Sequence, residues 1–179
     1  ISYEPQEEIL VTVGGSEAID AAIRALVSPG DEVIIPEPSY VCYEPITALA
    51  GGVPVVVETK AENDFKLTKE QLVSAITDKT KVVILPFPCN PTGAIMERED
   101  LEAIADVLKD TDIMVISDEI YYRLCYDGHS FTSVPSLGED IKEHCILING
   151  ASKSYAMTGW RIGFVAAPAQ IVDRMTKGQ

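Results

Sequence analysis

The chain has 179 residues, 46% of them hydrophobic and 23% charged, which is ordinary composition for one globular domain with its own core. Acidic residues outnumber basic ones 28 to 14, and the resulting net charge of −14 argues against nucleic acid or an anionic membrane as the partner. No apolar run approaches the ~20 residues needed to span a bilayer.

The first strand-like run is "ILVTV" (9–13), followed by "GGSEAI". There Gly14 and Gly15 let the chain turn, and Ser16 is the expected N-cap of a helix with the stripe Ile19, Ala22, Ile23, Leu26 and Val27. "EVIIP" (32–36) leads into "PEPSYVCY", an irregular entry to the next helix, and "VPVVVE" (53–58) is the third strand. Thr68 and Gln71 form a T-x-x-Q capping box before "LVSAI". "KVVILP" (81–86) precedes "CNPTG" and a helix over about 97–109, striped by Leu101, Ile104, Ala105 and Leu108. "IMVIS" (113–117), "CILIN" (145–149) and "IGFVAA" (162–167) complete seven strands, and a last helix starts near 168.

Most of these strands are continuous apolar runs, as expected in a sheet buried on both faces. Strands alternating with helices predict an α/β fold: a mostly parallel seven-stranded sheet with helices on both faces, in one domain over 1–179. Ligands of such sheets bind beyond the carboxyl ends of the strands. "GGS", "CNPTG", "DEIYY" and "GASK" all follow strands, so four loops are expected to converge on one crevice.

The chemistry of those loops can be read singly. The Gly15–Ser16 turn either closes a βα unit or seats an anion at a helix start. Asp118 follows an apolar strand, so its carboxylate is expected to be partly desolvated at the sheet mouth, or else to cap a helix. Tyr121, three residues on, shares that direction if the segment is helical. Asn90 precedes a proline and can be turn chemistry alone; Tyr40 can be packing alone.

Lys153 and Arg161 are harder to read as surface, because no acid lies within eight residues of Lys153 and none is near Arg161. A lysine in apolar company is a better nucleophile toward carbonyls, and an unpaired guanidinium beside an apolar strand suits a phosphate. A phosphorylated carbonyl compound that forms a Schiff base with Lys153 meets both demands, and pyridoxal 5'-phosphate is one. Four widely spaced cysteines without a CxxC pair, alongside two histidines, read as reduced thiols of a cytoplasmic protein rather than as a zinc site.

Taken in order, "GGSEAI", "PSY", "NPTG", "SDEIY" and "SKSYAMTGWRIGF" resemble the class I/II aminotransferases of the aspartate aminotransferase type, fold type I of the pyridoxal-phosphate enzymes. The resemblance runs along essentially the whole chain. It implies that Lys153 carries the Schiff base and shuttles the substrate proton, and that Asp118 pairs with the ring nitrogen. It further implies that Tyr121 and Asn90 bond the ring's phenolic oxygen, and that Tyr40 stacks on the ring face. Arg161 and the Gly15–Ser16 turn would hold the phosphate, with Ser152 as a further donor, while Trp160 packs. One position departs from the family pattern: Gly150 stands where many members carry a hydroxyl.

By the same resemblance the chain is the central large domain only, and its start at Ile1 rather than methionine suits a segment. A small domain made from both chain ends, with the substrate-carboxylate arginine, lies outside it. The parent is expected to be a homodimer acting on an amino acid and a 2-oxo acid, and this chain to bind cofactor at best. A lyase of the same fold, or the cofactor-sensing domain of a transcription regulator, are the alternatives.

Overall fold

The computed structural model describes residues 1–179. Its seven strands are β1 (Ile9–Val13), β2 (Glu32–Glu37), β3 (Val53–Glu58), β4 (Thr80–Leu85), β5 (Met114–Asp118), β6 (Cys145–Gly150) and β7 (Ile162–Ala166). They form one sheet in the order β1-β7-β6-β5-β4-β2-β3. Strands β2 to β6 are mutually parallel, whereas β7 runs antiparallel to both β6 and β1. The expected mostly parallel sheet is what the chain forms, with one reversed strand that the sequence reading did not assign.

The continuous apolar runs follow from two-sided burial. Successive side chains of a strand point to opposite faces, and along β4 Val82 and Ile84 join one core while Val83 and Leu85 join the other. The first core is closed by α1 (Gly14–Leu26) and α6 (Ala169–Gly178), through Ile19, Ile23, Ile171 and Met175. The second is closed by α3 (Lys69–Ala75) and α4 (Arg98–Leu108), through Leu72, Leu101 and Ile104. A short helix, α2 (Tyr43–Leu49), links β2 to β3, and a single turn, α5 (Glu139–Lys142), precedes β6. The edge strand β1 differs from the central ones, because Leu10 and Thr12 are buried while Val11 and Val13 stay exposed.

Local signals at the helix ends behave unevenly. The Thr68–Gln71 capping box is complete in both directions. The predicted cap at Ser16 is not: α1 begins two residues earlier, and Ser16 lies inside its first turn. The Glu17 carboxylate reaches back to accept the Val13 N–H, and no side chain caps the first-turn N–H groups that follow. No helix is long and apolar enough to cross a membrane.

Candidate active site

Parallel strands bring the ends of β1, β4, β5 and β6 to one edge of the sheet, and the reversed sense of β7 brings its beginning there too. A cleft of about 230 Å³ opens at that edge. Every expected cofactor contact lines it: Gly15, Ser16 and Tyr40 on one stretch, Asn90, Asp118 and Tyr121 on the next, then Ser152, Lys153 and Arg161. Tyr43 and Thr158 line it as well, and neither was foreseen. Trp160, expected to pack, is instead 70% exposed.

One end of the cleft is built for an anion. Arg161 takes a left-handed backbone with φ 53°, and its guanidinium donates to the carbonyls of Thr158 (3.1 Å) and Val13 (3.4 Å). No carboxylate lies within ion-pair distance of it. The guanidinium packs on Gly14, where a Cβ would sit 2.4 Å from Nη2. The start of α1 therefore lies directly under it, with first-turn N–H groups and the positive helix end adding to its charge. The Ser16 hydroxyl stands 3.4 Å from the Tyr40 hydroxyl in the same corner.

The opposite chemistry sits at Asp118. Its carboxyl is buried, and burial pushes it above the usual carboxylate range; hydrogen bonds from the Tyr43 hydroxyl (2.8 Å) and the Ile120 N–H (3.2 Å) work against that rise. No cation reaches it. Asp118 thus has the cap-like local bond and the desolvated position together, although Ile120 to Arg123 form a turn rather than an α-helix. Tyr43 is 2% exposed, packs edge-on against Tyr40 with centroids 5.8 Å apart, and is itself pushed well up by burial and by Asp118.

Lys153 corrects the reading drawn from its neutral neighbours. It is an exposed residue at the cleft wall, with Nζ 5.6 Å from the Tyr121 ring centroid. The absence of local acids keeps it free of ion pairs without burying it. Asn90 is also exposed, and Ser152 is buried beside Lys153.

A family model described as "Aminotransferase class I and II" matches residues 1–179. The chain belongs to the class I and II aminotransferase family. It is 46% identical over 179 residues to an aspartate aminotransferase of Pyrococcus abyssi, covering 100% of this chain and 46% of that protein. An aromatic-amino-acid aminotransferase of Thermococcus litoralis is 42% identical, again over 100% of this chain and 46% of its own length. Among solved structures, an aromatic aminotransferase from Pyrococcus horikoshii superposes with a TM-score of 0.95 at 45% identity, over 99% of this chain and 47% of that one. The sheet and its helices match the large domain of these aminotransferases, and the chain spans less than half the length of the relatives it matches.

At Gly150 the fold leaves no room for a side chain. A Cβ there would lie 2.7 Å from the Ile162 carbonyl and 3.1 Å from the Gly163 Cα, so β6 and β7 are packed too closely for a side chain.

A second carboxyl in the family motif faces away from the cleft. Glu119 is buried, and burial raises it to about 7, against hydrogen bonds from Ser133, Val134 and Ser117. Asp118 on β5, Cys145 on β6 and Tyr3 of the N-terminal segment are the titratable groups around it. Because its folded value lies above the unfolded 4.5, its contribution is full below about pH 4.5 and is lost as pH rises through about 7. Glu119→Gln should remove that slope. Between pH 4.5 and 7.5 the stability of the original chain should fall relative to the variant by about 3 kcal/mol, read from urea midpoints across pH. Parallel curves would mean that folding leaves the carboxyl's titration unshifted.

Proposed function

We propose that this chain is the cofactor-binding domain of a pyridoxal-phosphate-dependent aminotransferase. Its parent would move an amino group between an L-amino acid (aspartate, alanine or aromatic) and a 2-oxo acid such as 2-oxoglutarate. One observation carries the reading: an acid-free guanidinium over a helix start, a buried carboxyl without a cation, and an unpaired lysine all line one cleft. A phosphate, a ring nitrogen able to carry a proton and an aldehyde answer those three groups, so the donor set fits pyridoxal phosphate.

The division of labour follows from the chemistry of each residue. Arg161 and the first-turn N–H groups at Gly15 and Ser16 bind the phosphate oxygens, with the guanidinium pre-aimed by Val13 and Thr158. Asp118 holds a proton on the ring nitrogen, and Tyr43 holds Asp118 in place. Once bound, the cofactor supplies an electron sink for the bonds at the substrate Cα. Tyr121 and Asn90 orient the ring through its phenolic oxygen, and Tyr40 covers its face. Lys153 is the amine that would hold the cofactor through its aldehyde and, when displaced from it by the substrate's amine, would be free as the base for the substrate proton. The names of the relatives favour transamination over lyase chemistry, and a homodimeric cytoplasmic parent with a small domain built from segments outside this chain belongs to the same proposal.

Reductive trapping tests the reading. After incubation with pyridoxal phosphate and borohydride reduction, peptide mass spectrometry should find one stoichiometric adduct at Lys153, and Lys153→Ala should carry none there. Equal labelling of several surface lysines, with Lys153 no more reactive than the rest, would count against it.

A further inference from the structure

The proposed chemistry gives Glu119 no task, yet it is among the most heavily bonded side chains in the molecule. Its N–H donates to the Ile148 carbonyl of β6 at 2.9 Å, and its carbonyl accepts from the Tyr122 N–H at 3.0 Å. Asp118 and Glu119 are neighbours at the end of a strand and so point to opposite faces, which sends Glu119 behind the cleft. There its carboxyl accepts from the Ser117 hydroxyl at 3.1 Å. Two further donors come from far along the chain: the Ser133 hydroxyl, 2.8 Å from each oxygen, and the Val134 N–H at 3.0 Å.

The segment between these ends contains neither helix nor strand, and most of it from Arg123 to Ser130 is exposed. Its internal backbone bonds are few: Tyr122 to Glu119, Leu124 to Tyr121 and His129 to Tyr126. Tyr121 lies near its start, facing Lys153, with no hydrogen bond to its own hydroxyl. Nothing in Tyr121's own side chain fixes where that hydroxyl stands.

We propose that Glu119 is a positioning residue that clasps both ends of the 120–133 loop and so sets Tyr121 opposite Lys153. The inference rests on the reading of Tyr121 as a cofactor contact. Closing a loop of this length costs conformational entropy. His129 bonded to Glu97 at 2.8 Å and Tyr122 packed on Phe131 tie its middle, and the Glu119 carboxyl ties its far end back to its start. The Asp118 carboxyl, accepting from the Ile120 N–H, holds the same loop from the cleft side. The two acids of the motif thus act on one loop from two faces. Without Glu119, the Ser133 hydroxyl and the buried Val134 N–H lose their acceptor, and the loop end is released.

Two measurements on the 179-residue chain test the clasp. Without cofactor, amide exchange at Tyr122 and Leu124 should accelerate at least about tenfold in Glu119→Ala beyond any change in global stability. Glu119→Gln, which keeps one accepting oxygen, should restore most of the protection. Ser133→Ala gives the same test from the far end of the loop and serves where the alanine variant does not fold. With pyridoxal phosphate, Glu119→Ala should slow trapping at Lys153 about tenfold, and should have little effect in a Tyr121→Phe background, because the clasp acts through Tyr121. Equal slowing in both backgrounds, or unchanged exchange at Tyr122 and Leu124, overturns the proposal. A chain that takes no label at Lys153 defeats the cofactor reading instead, and the exchange experiment then decides the clasp by itself.

Discussion

Gly163→Ala should destabilise this domain by about 3 kcal/mol, lowering the melting temperature by roughly 6–12 °C, although the change adds a single methyl group. Gly163 pairs with Gly150 of β6 on one side and Thr12 of β1 on the other. A Cβ on it would lie 2.5 Å from the Gly14 carbonyl carbon, 2.7 Å from the Gly14 oxygen and 2.8 Å from the Gly15 nitrogen. Every one of those atoms is backbone, so no side chain can swing aside to relieve the clash. The start of α1 must lift away from β7, and Arg161, which packs on Gly14, loses its seat with it. Anion affinity at the cleft should therefore fall together with stability. Gly159→Ala is the control, since a Cβ there meets nothing within 4 Å, and it should change the melting temperature little. A Gly163→Ala protein that melts with the original and keeps its anion affinity would show that the corner is loosely packed.

That corner also marks the limit of what the sequence displays. The central strands were legible because two-sided burial writes an unbroken apolar run, and the helices because their stripes recur at helical spacing. The reversed direction of β7 has no such signature, yet it is what carries Arg161 to the same sheet edge as Lys153 and Asp118. Tyr43 was missed for a related reason. Its bond to Asp118 spans 75 positions, and nothing local in "SYVCY" announces it. Glu119 was within reach, because strand parity alone allows only one of two adjacent acids to face the cleft. Lys153 erred the other way, since neutral neighbours in sequence do not make a buried neighbourhood in space. Gly14 and Gly15 were read as a turn, whereas Gly14 (φ 78°) also accommodates a guanidinium that any side chain would displace.

Asp118→Asn should separate stability from binding, moving the two in opposite directions. Burial raises the Asp118 carboxyl, so folding favours its neutral form, and its contribution is present at low pH and lost as pH rises through the raised value. Above that raised value the cofactor-free chain bears the cost of a buried carboxylate that no cation reaches. Asparagine has nearly the same volume, and its amide oxygen can still accept from the Tyr43 hydroxyl, so the variant should melt higher than the original at pH 8. The gain should shrink toward acid pH, where the original carboxyl is protonated as well. Binding should respond the other way. In the proposed site a ring nitrogen carrying a proton would give Asp118 the cation it lacks, and removing one partner of such a desolvated pair costs about 2–5 kcal/mol, so pyridoxal phosphate affinity should drop at least about 30-fold. Titration of cofactor into both proteins, beside melting curves at pH 5 and 8, reads both effects. Unchanged affinity would remove Asp118 from the ring nitrogen. A melting temperature at pH 8 below the original's would mean that burying this carboxyl costs the fold nothing. Higher stability with weaker binding is the signature of a residue kept for the ligand at the expense of the fold.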